Sequence, residues 1–172
     1  MRRVLFSFTT LALALAVATM APAAWAQSSK KYTGPRPPKA DLPYLLHATN
    51  LVPLEAATAA EEKRKDDNAN IVRGSSSPAR TPLAEPIFLL ASEKLIPEKL
   101  ELYPMTVSKS GNREVAFPNN PKKMKDAPKP VRLSVAKVDS NIYRLEATEA
   151  LDNGSYCLTP SGSQDVFCFD VY

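Results

Sequence analysis

Histidine and tryptophan occur once each in this chain, cysteine twice and glycine only five times among 172 residues. Each scarcity removes a class of chemistry. A single histidine, His47, cannot build a histidine-based metal cluster, and Cys157 and Cys168 at their spacing make a poor zinc half-site. The glycines Gly34, Gly74, Gly111, Gly154 and Gly162 are scattered, so there is neither a phosphate-cradling loop nor a Gly-x-Ser-x-Gly nucleophile elbow. A Ser-His-Asp triad on His47 has no supporting pattern, and His47 reads as an ordinary strand residue. No catalytic residue, metal ligand or cofactor is assigned, and the expectation is a protein that is not an enzyme.

Charge of one sign is also lacking. The formal net charge is +4, and Arg2 and Arg3 contribute half of it. With no recognisable motif beside it, that balance argues against nucleic acid. Long apolar runs are confined to the N-terminus. Arg2 and Arg3 precede a mostly apolar run over 4–20, and Ala24-Trp25-Ala26 places small residues at both positions that signal peptidase inspects. Residues 1–26 are therefore expected to be a cleaved secretory signal, and the protein to be exported, periplasmic or secreted. No later stretch is long enough to span a bilayer as a helix, so no transmembrane segment is expected after cleavage.

What is plentiful is proline, with 16 residues, and short alternating apolar runs. Residues 27–41 contain Thr33-Gly-Pro-Arg-Pro-Pro-Lys39, a basic tether whose composition favours extended chain. A single domain is expected over 42–172. Residues 42–54, bracketed by Pro43 and Pro53, read as a first strand at a sheet edge. The stretch 55–67 is ambiguous. Its alanines and charges favour a helix, yet it lacks an apolar stripe, so it is either a short exposed helix near 55–65 or two strand ends joined by a charged turn. Ile87-Phe-Leu-Leu-Ala91 reads as a central strand buried on both faces. Segments 100–107 and 113–117 flank Ser108-Lys-Ser-Gly-Asn112 as a hairpin, with a bulge or an edge near Pro104. Alternation at Val131, Leu133 and Val135, and the apolar Ile142, Tyr143 and Leu145, predict two more strands.

The chain closes on a second hairpin. Tyr156 and Leu158 share one face of its first arm, and Phe167, Phe169 and Val171 one face of its second. Pro160 and Gly162 supply the turn between them. Centring the pairing there sets Leu158 against Phe167, Tyr156 against Phe169, and Cys157 against Cys168 on the opposite face. In an exported chain two cysteines are expected to form one disulfide, worth about 3 kcal/mol by loop-closure entropy. Two unpaired thiols and a redox-active pair are the alternatives, although the spacing is not Cys-x-x-Cys. Leu151-Asp-Asn-Gly-Ser-Tyr156 has the form of a tyrosine corner, in which Tyr156 bonds to upstream backbone while its ring packs inside; a core tyrosine after a turn is the simpler reading.

Arg113 in its hairpin, the Leu151…Gly154-x-Tyr156 corner and the terminal Phe167-x-Phe169-x-Val171 together resemble a group of uncharacterised exported bacterial β-sandwich proteins with a Leu-x-x-Gly-x-Tyr closing segment. The resemblance covers about residues 77–172. It implies an immunoglobulin-like antiparallel β-sandwich of about seven to nine strands and brings no activity with it.

Function is expected from surfaces. Lys122, Lys123, Lys125 and Lys129 lie on a loop stiffened by Pro118, Pro121, Pro128 and Pro130, and could meet an anionic envelope component or an acidic envelope protein. The first expectation is thus a non-catalytic binding or adaptor module of the cell envelope. The alternatives are a structural subunit joined through sheet edges, including an uncapped C-terminal strand, and an enzyme.

Overall fold

The computed structural model describes residues 32–172, so the expected signal over 1–26 and the start of the tether over 27–31 lie outside the described residues. Among the described residues, short alternations punctuated by proline and turn residues give thirteen strands. They are β1 (Tyr44–His47), β2 (Asn50–Pro53), β3 (Glu55–Thr58), β4 (Ala60–Lys63), β5 (Asp67–Val72), β6 (Arg80–Thr81), β7 (Ile87–Ala91), β8 (Leu100–Val107), β9 (Arg113–Pro118), β10 (Leu133–Lys137), β11 (Ile142–Ala147), β12 (Gly154–Pro160) and β13 (Asp165–Val171). Two short 3-10 helices, Pro97–Lys99 and Pro121–Asp126, complete the elements.

The strands form two sheets. One is antiparallel, five-stranded, in the order β10-β11-β7-β1-β2; the other is eight-stranded, in the order β3-β13-β12-β8-β9-β5-β4, with β6 parallel to β13. The ends of the second order, β3 and β4, are consecutive in the chain with only Ala59 between them. This bent segment pairs with β13 before Ala59 and with β5 after it, so the sheet returns on itself as a nearly closed barrel. The all-β expectation holds; the architecture is a sandwich and barrel of thirteen strands, beyond the seven to nine of a simple sandwich.

Two cores result. Between the sheets, Leu45, Phe88, Leu90 and Leu145 meet Leu102, Tyr156, Leu158 and Phe169. Phe88 and Phe169 join the layers edge to face with ring centroids 5.1 Å apart. Inside the barrel, Ala59, Val72, Met105, Val115 and Val166 surround Cys157 and Cys168. The hairpin β12–β13 is the wall shared by both, with the register Leu158↔Phe167, Tyr156↔Phe169 and Cys157↔Cys168. Period-two alternation sends its aromatics to one core and its cysteines to the other. Gly162 supplies a positive φ of 76° in the connecting turn.

Several local expectations change. Residues 42–54 form a two-strand hairpin, β1–β2, because Ala48 takes a φ of 54° and reverses the chain. No helix forms near 55–65: without an apolar stripe, that segment gains more by pairing its backbone with β13 and β5. The C-terminal strand is not an open edge, since β13 pairs with β12 on one side and with β3 and β6 on the other. Other expectations stand. The strand Ile87–Ala91 is central and buried between β11 and β1. Pro104 lies where β8 has already left β9, whose ladder with it covers only Thr106 and Val107, so its missing N–H costs no bond there.

Candidate functional site

Lysines carry the sequence-derived site, and the structure gives them a shape. Pro118 ends β9, and Asn120 then caps a 3-10 helix, its side chain accepting from the Lys122 N–H at 2.9 Å. Pro121 occupies the first turn, where no N–H is needed. The segment read from sequence as a plain loop is thus a six-residue helix, Pro121–Asp126, with no buried residue. Three residues per turn aligns Lys122 with Lys125 on one edge, Lys123 with Asp126 on the second, and Pro121 with Met124 on the third. Lys129 follows in the extended connection between Pro128 and Pro130 and is exposed. Among the described residues no ion pair holds any of the four lysines.

Folding adds a residue that sequence reasoning missed. Asn119, at the foot of this helix, donates from its backbone N–H to the Asp66 carbonyl at 2.9 Å and from its side-chain amide to the Arg64 carbonyl at 2.9 Å. The β4–β5 turn, which carries exposed Lys65, is thereby fastened to the foot of the helix. Read in sequence, Lys65 belongs to a mixed-sign cluster and gives no hint of this neighbour. Arg64 is committed elsewhere, to Glu114 at 2.8 Å and Glu62 at 2.9 Å. The Arg64 hydrogen bond holds the Glu114 carboxyl below its ordinary range.

The same end of the barrel holds a small cavity of about 50 Å³. Phe117, the penultimate residue of β9, lines it with Tyr103, Thr159, Gln164 and Val166, and Cys157 lies in its wall. Tyr103 and Phe117 meet edge to face at 5.7 Å, bridging the side on which β8 and β9 have parted. Burial, followed by the nearby Glu101 charge and its hydrogen bond, raises the Tyr103 phenol above its ordinary pKa. The opposite end is closed by Arg113, whose side chain is fully buried against Glu55.

Cys157 and Cys168 are joined as a disulfide, with Cα atoms 4.0 Å apart. They are 2% and 0% exposed, so the bridge staples the barrel core. Tyr156 donates to the Asp152 carbonyl at 3.0 Å with its ring buried, which is the tyrosine-corner arrangement, one of the two readings open from the sequence. His47 pairs with Asn50 in the β1–β2 hairpin, remote in the sheet order from the barrel. Among the described residues there is no group of three or more His, Cys, Asp or Glu side chains able to hold a metal ion. No described helix is long and apolar enough to cross a membrane. Comparison of the chain with protein-family models, with curated proteins and with solved structures finds no match.

Proposed function

We propose that the protein is an exported, non-catalytic binding module of the cell envelope that engages an anionic partner through Lys122, Lys123, Lys125 and Lys129. The observation that carries this reading is the capped, proline-clamped helix that exposes three of these lysines, none of them in an ion pair among the described residues. Fixing basic groups on a short rigid turn lowers the entropy lost on binding, and unpaired lysines keep their charge available for a partner. Retention of the exported protein on immobilised polyphosphate tests the idea, with Glu replacing all four lysines in the comparison variant. Salt-sensitive retention lost in the variant supports it, and equal retention of both proteins sinks it.

A second reading, a subunit assembled through sheet edges, rests on β2 and β10. Each has a single strand neighbour in the five-stranded sheet. Unpaired edges of that kind accept an added strand. A mass by light scattering that stays monomeric as concentration rises would dispose of it.

A further inference from the structure

We infer that the anionic partner is a lipid bilayer surface, met by the lysine-bearing end of the barrel with Met124 entering the headgroup layer. This inference rests on the binding reading above and narrows it to one kind of partner. Three observations favour a membrane over a compact anion. The helix Pro121–Asp126 has no buried residue, so it offers a projecting tip, whereas a compact anion needs an enclosing pocket. At that tip Met124 is 55% exposed, an apolar side chain between lysines on both neighbouring positions. The hydrogen bonds from Asn119 hold the turn that carries exposed Lys65 against the foot of the helix, which adds a further basic residue to this end of the barrel. The acidic groups here are Asp66, Asp126 and Asp67, the last placed opposite Pro118 and within 3.9 Å of Arg64, against Lys65, Lys122, Lys123, Lys125 and Lys129. A broad basic face with an apolar tip suits anionic headgroups over an acyl layer.

Co-sedimentation of the exported protein with phosphatidylcholine vesicles, with and without phosphatidylglycerol, reads this out beside retention on polyphosphate. Binding should require phosphatidylglycerol and fade with salt. Lys65→Ala should weaken it roughly fivefold. Met124→Ser should weaken vesicle binding roughly tenfold and leave polyphosphate retention unchanged. Retention on polyphosphate without preference for phosphatidylglycerol vesicles would overturn the bilayer inference and leave the anionic-partner reading standing. An unchanged vesicle affinity in Met124→Ser would also overturn it. Failure to bind either probe would remove both. Thermal unfolding of each variant, expected at the parent temperature because the substituted side chains are exposed, separates lost binding from lost fold.

Discussion

The Arg113 guanidinium and the Glu55 carboxylate meet as a fork, Nη1 to Oε2 at 2.7 Å and Nη2 to Oε1 at 2.9 Å, across the seam of the barrel. No ladder closes the wall there, because β3 pairs with β13 and only the chain beyond Ala59 pairs with β5. Arg113 spends two further donors on the Gly74 and Arg73 carbonyls, each at 3.0 Å. A fully buried guanidinium is tolerated only when its charge and donors are answered in this way.

Removing the partner should therefore cost more than removing the pair. Glu55→Ala leaves the Arg113 charge uncompensated and should destabilise by about 3 kcal/mol, at the low end of such losses because the Glu55 side chain is 23% exposed. The double variant Glu55→Leu with Arg113→Met should lose less than the sum of the single changes. Urea unfolding midpoints for the parent, Glu55→Leu, Arg113→Met and the double variant measure this coupling. Additive losses would show that the fork does not act as a unit.

The disulfide should act on the barrel core and leave recognition alone. Cys157→Ala with Cys168→Ala should lower stability by about 3 kcal/mol through the freed unfolded chain. Polyphosphate retention should not change, since neither sulfur is near the surface. Because both residues are buried, thiol labelling under native reducing conditions should wait for the barrel to open, and rise when Glu55→Ala loosens the seam. Lost retention at unchanged stability would restore a functional role for the pair.

The terminal hairpin was legible because its period-two pattern and its two cysteines demand the same register, Tyr156↔Phe169 with Cys157↔Cys168. The barrel was not. Its interior is built partly from Ala57, Ala59, Asn70 and Thr159, small or polar residues that carry no alternation signal. The bent β3–β4 segment is rich in alanine and glutamate, and local propensity favours a helix until remote strands supply its pairing. Ala48 turns the β1–β2 hairpin at a positive φ with none of the residues that announce such a turn. The lysine group was visible as composition, but the docking of the Lys65 turn at the foot of its helix depends on Asn119, which is distant in sequence.

Tyr156 permits a single-atom test of the corner. Its hydroxyl donates to the Asp152 carbonyl, and burial, then the nearby Asp152 charge, hold its phenol above the ordinary pKa. Tyr156→Phe keeps the ring stacked on Phe169, centroids 5.7 Å apart, and removes only the bond. A loss of about 1 kcal/mol is expected. It should appear in the urea midpoint with an unchanged slope, and no loss would mean that the corner is held by packing alone.

Asp41 should give the fold a sensitivity to acid. Its carboxylate accepts from the backbone N–H groups of Glu93, Lys94 and Leu95 at 2.9 to 3.1 Å, while its own N–H donates to the Ala91 carbonyl at 2.8 Å. Burial alone would raise its pKa; the three backbone donors and the Lys94 charge outweigh that and hold it below the ordinary carboxylate range. A carboxylate whose folded pKa is depressed contributes its full stability above the unfolded value, about 3.9. That contribution disappears as pH falls through the lower folded value. Asp41→Asn removes the charge but tolerates the same backbone, since Asp41 has a φ of 56° and asparagine visits that region readily. The variant should be less stable than the parent near neutral pH, and the gap should close as pH falls below the ordinary carboxylate range. Urea midpoints of both proteins across that range test it. A gap that stays constant into acid would assign the loss to altered hydrogen-bond geometry and not to the charge.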